Sequence, residues 1–317
     1  MKQEKTKTLT AWKGGKRKRA GRSQIQLLLM TLPAAVIILL YNYLPMLGLG
    51  IAFQNFRVDR KIWENEFVGF KNFEFLFTSQ DAFRIIRNTI GLNLLFIVTV
   101  LFISVTFALM LNEIKHRGFI KCVQTVMFFP YFLSWVVASY MLYAFLNMDL
   151  GIVNNFLGLI GQEKIMWYAQ AQYWPFIMVL AFVWKNGGYY TVIYYAGLMG
   201  IDSEYYEAAS IDGATKWQQI RYISLPLLKP LITVMVLLQI GKILFADFGM
   251  FLNLPMQNGA LFSTTDVIDT YVFRAFRVTG QVGLASAAGF VQSIVGFLMV
   301  FTANWIVRRK DPDNALF

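Results

Sequence analysis

Asn88-Thr-Ile-Gly-Leu-Asn-Leu-Leu-Phe-Ile-Val-Thr-Val-Leu-Phe-Ile-Ser-Val-Thr-Phe-Ala-Leu-Met-Leu111 runs without a charged side chain. A helix needs about 20 mostly apolar residues to cross the hydrocarbon of a bilayer, and this stretch is long enough. Five more stretches qualify on either side of it: Leu27 to Gly50, Val123 to Leu146, Trp174 to Gly197, Leu228 to Phe248 and Leu284 to Val307. A lipid-exposed backbone must satisfy its own hydrogen bonds, so all six are read as helices. The fold class is all-α: a polytopic membrane protein with about six transmembrane helices. The composition agrees, with 57% hydrophobic and 15% charged residues and a mean hydropathy of +0.50. Soluble domains carry about a quarter charged residues. The first stretch is too long for a cleavable signal peptide and no small-residue cleavage site follows it. Pro33 and Pro45 are expected to kink or shorten it.

The net charge of +11 has to be read by position. With the N-terminus inside, 18 of the 29 Lys and Arg fall in cytoplasmic segments, 9 fall outside, and Lys185 and Lys242 lie within spans. This asymmetry places both termini in the cytoplasm. The organisation expected is a basic cytoplasmic tail (1–22), a transmembrane domain (23–310) and a short cytoplasmic C-terminal tail (311–317). The run Lys16-Arg-Lys-Arg19 is read as an anchor on anionic membrane lipids, with no nucleic-acid partner. The single Cys122 excludes a disulfide framework and a cysteine zinc site, and the single His116 excludes a multi-histidine metal site. No metal site and no catalytic residue is expected.

The loop between the fourth and fifth spans (199–226) is too long for a simple connector. Asp202 or Ser203 can cap a helix with Glu204 in its first turn, running to about Ile211. Gly213 permits a sharp reversal. A second helix begins near Thr215, and Pro226 is expected to mark a break where the fifth span starts. Ala208 and Ala209 leave one side of the first helix bare for another backbone, and Glu207 offers an ionic anchor.

Glu207-Ala208-Ala209, three residues, Gly213, nine residues, Ile223, one residue, Leu225-Pro226 resembles the signature loop of ABC importer permeases. Asp212, within Ile211-Asp-Gly-Ala214, also looks like the family pattern. The resemblance implies that Glu207, Ala208, Ala209, Asp212, Gly213, Leu225 and Pro226 form a cytoplasmic coupling loop that docks on a separate ATPase. It implies as partners a second homologous permease, two ATPase subunits and an extracellular lipoprotein solute-binding protein. It implies no cofactor in this chain, ATP and Mg belonging to the partner ATPase. The chain has no G-x-x-x-x-G-K-[ST] phosphate loop. Gly69-Phe-Lys-Asn-Phe73 and Asn88-Thr89 look like the carbohydrate branch. Asp266 to Arg274, then Ala285 to Gly289, resembles the subgroup handling polysaccharide fragments. The whole sequence is similar to permeases for rhamnogalacturonan and other pectin fragments.

For the substrate, Trp184, Lys185, Asn186, Tyr189 and Tyr190 in the fourth span, with Lys242 and Asp247 towards the outer end of the fifth, are the candidate contacts. Aromatic faces with amide and ammonium donors suit a sugar, and two lysines suit a carboxylate on it. An acidic oligosaccharide is expected. The structural alternatives stay open: Lys242 could pair with Asp247, and Lys185 could snorkel or face the partner permease. The two glycines after Asn186 indicate an unwound or tightly packed site. Trp63, Trp167, Trp174 and Trp305 are read as interfacial anchors. Ala285, Gly289 and Ser293, four apart, suggest close helix packing, such as a seam with the partner permease. Rival readings are a permease for a neutral sugar or peptide, an ion-coupled secondary transporter, and a membrane-embedded transferase, for which no paired carboxylates stand out.

Overall fold

The computed structural model describes residues 22–57, 59–310 and 315. The basic run at 16–19 and most of both tails lie outside the described residues. The chain divides into two units, Met1–Gly50 and Ile51–Phe317. In the first unit, α1 (Arg22–Ile38) passes through Pro33 without ending and leads into a wide π turn, Leu39–Tyr43. Leu44 N–H closes that turn on the Leu39 carbonyl, immediately before Pro45. A proline ring crowds the carbonyl four residues back and brings no N–H. An inserted residue opens the space it needs, so the helical path widens there and does not break.

The second unit starts with a short antiparallel pair, β1 (Gln54–Asn55) and β2 (Glu66–Phe67), in the register Gln54 opposite Phe67. After α2 (Phe75–Thr78) comes the long α3 (Gln80–Glu113), begun by the Ser79 side chain accepting from Asp81 N–H. It is followed by α4 (Arg117–Phe128), α5 (Trp135–Leu146), α6 (Ile152–Leu159) and α7 (Trp174–Met199). The chain then forms α8 (Ser203–Ile211), α9 (Lys216–Gln219) and α10 (Leu225–Ile240). It closes with α11 (Phe248–Asn253), α12 (Phe262–Thr265), α13 (Ile268–Arg277) and α14 (Val282–Lys310). Among the described residues five helical stretches are long and apolar enough to cross a membrane, and one bent pair makes a sixth candidate.

Helices α3 and α7 run side by side in the same direction and carry the core. Phe96 stacks on Phe182 with ring centroids 4.6 Å apart. Ser104 Oγ donates to the Gly187 carbonyl at 3.0 Å, and Ala108 packs with Tyr194, Leu198 and Leu228. One end of this pair carries α8 and α9; the other carries the β pair and α11 to α13.

Five expectations change. The third span is two helices bent by 99° at Phe129–Ser134, because Pro130 ends one and the Ser134 hydroxyl caps the next. The fifth span does not break at Pro226: a second π turn, Ile220–Ser224, precedes it, with Leu225 N–H on the Ile220 carbonyl. That span ends at Ile240, so Lys242 and Asp247 lie beyond it. Trp174 is interior rather than interfacial, fully buried with its indole donating to the carbonyl of the half-buried Trp167 at 2.8 Å. In α14 the close approaches within the chain are at Gly283, where an added Cβ would stand 2.7 Å from Asn72 Nδ2, and at Gly296, 3.1 Å from the Gly241 carbonyl; Gly289 faces open space.

Candidate functional site

The hairpin α8–α9 is built by local chemistry. Asp202 caps α8, its side chain accepting from Glu204 N–H at 3.1 Å. Gly213 takes φ +81°, and Ala214 N–H returns to the Ala209 carbonyl at 2.9 Å, which closes the helix end. Thr215 and Gln218 form a reciprocal capping box that starts α9. Two side-chain bridges clamp the halves together: Gln219 Nε2 donates to Ser210 Oγ at 2.8 Å, and Tyr206 Oη and Ser224 Oγ lie 2.9 Å apart. The Lys216 ammonium meets the Glu113 carboxylate at 3.2 Å, tying the hairpin to the end of α3. Glu207, Ala208, Asp212 and Gly213 are exposed, Ala209 is half-buried, and Leu225 and Pro226 follow the π turn. Tyr205 and Ile211 stand out beside them, Ile211 with 86% of its surface open.

A second cluster sits at the bend between α4 and α5. Helix α7 is continuous there, so its two glycines do not unwind it, and one of them serves close packing. A Cβ on Gly188 would stand 1.9 Å from the Met127 carbonyl oxygen, whereas one on Gly187 would meet nothing nearer than 3.6 Å. The α4 backbone thus seats in a notch of α7. Tyr189 then stacks on Tyr131 with centroids 4.7 Å apart and 9° between planes, flanked by Phe128 and Tyr190. Beneath them Lys185 is buried. Its ammonium donates to the carbonyls of Tyr131 (2.9 Å), Pro130 (3.5 Å) and Leu133, and lies 5.3 Å from the Trp135 ring. The Trp135 indole donates to Asp247 at 2.7 Å, and Asp247 caps α11 through Met250 N–H.

The structure therefore brings Lys185, Tyr189 and Asp247 to one bend, with Tyr190 beside it. Trp184 turns away into an apolar hollow with Met141 and Leu180, and the Asn186 amide donates to the Phe182 carbonyl of its own helix. Lys242 is exposed and makes no ion pair with Asp247.

On the face opposite the hairpin, the softer sequence patterns meet one another. Asp266 is buried and accepts from Arg274 at 2.6 Å, Arg84 at 3.5 Å and Thr270 at 3.0 Å. Asn88 donates to the Asp266 carbonyl, and Ile268 N–H donates to Thr89 Oγ1. Asn72 donates to the carbonyls of Ala52 and Gln54 at 2.9 Å each. Asp269 accepts from Ala246 N–H at 2.8 Å; burial raises its carboxyl above the usual range, and that hydrogen bond opposes the rise.

Residues 100–312 match the family described as binding-protein-dependent transport system inner membrane component. The chain belongs to that family. It is a membrane component of a transport system and not an enzyme. This permease is 34% identical over 307 residues to the polygalacturonan/rhamnogalacturonan transport system permease protein YteP of Bacillus subtilis, covering 96% of this chain and 95% of that one. It is 32% identical to protein LplB of the same organism, covering 96% of each. Among solved structures it is similar to a chain of a bacterial ABC transporter involved in import of the acidic polysaccharide alginate, with a TM-score of 0.83 and 33% identity over 91% of this chain and 96% of that one. That transporter has also been solved in complex with a periplasmic protein bound to an alginate pentasaccharide.

Tyr131 and Trp135 of the permease were not among the candidates read from the sequence. A signal was present: Pro130 inside an apolar run, followed by Ser134 in a capping position. Tyr205 and Ile211 carried no such signal, because only the hairpin geometry shows which apolar side chains stay uncovered.

Proposed function

We propose that this permease passes an acidic oligosaccharide, a pectin-type fragment, across the bacterial membrane by alternating access, driven by ATP and Mg in separate ATPase subunits. The observation that carries the sugar reading is the stacked pair Tyr131–Tyr189 at the bend of a broken span, with Tyr131 partly open. Aromatic faces inside a membrane protein suit the apolar faces of a sugar ring. The acidic character rests on the two relatives whose names or descriptions specify acidic polysaccharides. Tyr189 and Tyr131 are the proposed ring contacts, with Tyr190 and Trp184 at the margins and Asn186 and Lys242 as secondary polar candidates. Lys185 and Asp247 enter as supports of the bend: the three ammonium donors of Lys185 match three carbonyls, and Asp247 holds the Trp135 indole.

The hairpin is the proposed coupling loop. Lys115, Arg117, Lys121, Lys216, Arg221, Arg308 and Arg309 gather at its end of the helices, which supports a cytoplasmic placement of this face and of the end of α14. Glu207, Ala208 and Ile211 would meet the ATPase, and Gly213 would hold the turn, with Ala209, Asp212, Leu225 and Pro226 shaping the seat. A second homologous permease completes the pathway, and an external lipoprotein delivers the sugar to the opposite face.

The test is ATP hydrolysis by the assembled transporter in lipid, with binding protein loaded with acidic or neutral oligosaccharide. Stimulation by the acidic sugar is expected. Stimulation only by neutral sugars would keep the importer and remove the acidic assignment; a peptide response would remove the sugar.

A further inference from the structure

On the face opposite the hairpin, a cavity of about 340 Å³ opens between the end of α5, the following loop and the segment after α11. Its chemistry differs from the apolar hollows along the spans. Tyr143, Trp167 and Tyr168 give it aromatic walls, and Asn147, Asp149 and Asn258 give it polar ones. Tyr143 and Tyr168 meet edge to face at 5.5 Å. The Tyr168 hydroxyl is buried without a partner. Burial first, then the neighbouring Tyr143, push its phenol above the usual range, so it stays a proton donor.

The backbone beside the cavity is strained. Met256 (φ 53°) and Gln257 (φ 49°) are consecutive left-handed residues, and neither is glycine. They are held by the next residue: Asn258 Nδ2 donates to the Tyr168 carbonyl at 2.7 Å and its Oδ1 accepts from Ala260 N–H at 3.0 Å. Such strain clusters at ligand sites, where it fixes a side chain that a relaxed loop would misplace. Here it places Asn258 on the cavity rim.

We propose that this cavity is a second saccharide subsite, which takes an uncharged sugar unit of the transported oligosaccharide on the entry side of the aromatic bend. The inference rests on the sugar-import reading and extends it. Among the described residues, Asp149 is the only carboxylate on the cavity wall. It accepts from sugar hydroxyls and repels a carboxylated ring. The Lys164 ammonium is turned to the Asp149 carbonyl at 3.4 Å and does not line the cavity. Tyr143 offers a ring face. Helix α5 joins the two sites: Trp135 is at the bend and Tyr143 lies about 12 Å further along the axis. A disaccharide held at the bend does not reach the cavity; a longer chain does.

The experiment uses the assembled transporter in vesicles, with its binding protein and rhamnogalacturonan fragments, a disaccharide and a hexasaccharide, as probes. Asp149→Ala and Tyr143→Ala are the variants; both side chains are exposed and neither makes a structural hydrogen bond among the described residues. The expected result is a rise of about tenfold in KM for hexasaccharide import, with KM for the disaccharide and maximal ATPase stimulation unchanged. Equal effects on both lengths, or none on either, overturn the subsite and leave sugar import standing. If the wild-type transporter imports neither fragment but responds to another solute, the sugar reading falls and the subsite with it.

Discussion

Replacing Lys185 by Met separates a clamp from a ligand. Met keeps most of the volume and removes all three donors. The Pro130 carbonyl still receives Leu133 N–H at 3.1 Å, so the loss concentrates on the carbonyls of Tyr131 and Leu133. A charge-assisted hydrogen bond contributes about 1.5–3 kcal/mol, which gives about 3–6 kcal/mol for the two. The ammonium no longer has to be desolvated, which offsets part of this, and a net loss of about 2–4 kcal/mol remains. Heating the assembled transporter in detergent and following its monodisperse fraction should show the transition falling by roughly 3–6 °C. Import of acidic and neutral oligosaccharides should fall together, because the bend that presents Tyr131 has loosened. If Lys185→Met loses only the acidic substrate and melts like the wild type, the ammonium is a substrate ligand and the clamp argument is wrong.

Gly188→Ala drives a Cβ to within 1.9 Å of the Met127 carbonyl oxygen. It should cost at least about 3 kcal/mol and leave little folded protein in membranes, while Gly187→Ala is tolerated; yields by fluorescence-detected chromatography decide it. Gly213→Val has open space around its side chain but must hold a β-branched residue at φ +81°. ATP hydrolysis by the partner should persist while import is lost, and normal import by this variant would remove the turn from the coupling path.

The spans were legible because hydropathy and length suffice for them. Their interruptions were not, since an apolar run reads alike whether it is straight or folded at Pro130. The two π turns show the reverse case: Pro45 and Pro226 look like breaks, yet an extra residue in the turn ahead of each carries the helix past. The hairpin was readable residue by residue, because Asp202, Gly213 and Thr215 act on their own backbone. Lys185 was visible as a buried charge, but its partners are carbonyls more than fifty positions earlier, and backbone acceptors leave no mark in a sequence. Asp266 was hidden for another reason: both partners are charged side chains, but Arg84 comes from a helix 182 positions earlier.

The notch at Gly188 also fixes the kinematics of the cycle. With the Met127 carbonyl lodged against it, α4 cannot slide along α7, so the two must travel as one rigid piece. The stacked tyrosines ride on that piece, and its far end runs into Asp202 and the hairpin. On the proposed coupling path, a push on Ile211 would therefore reach the proposed sugar platform as a swing of the whole body, without any rearrangement inside it. The joints that yield have to lie elsewhere, and the turn Gly241–Phe245 beyond α10 is one of the non-helical stretches that interrupt the helices.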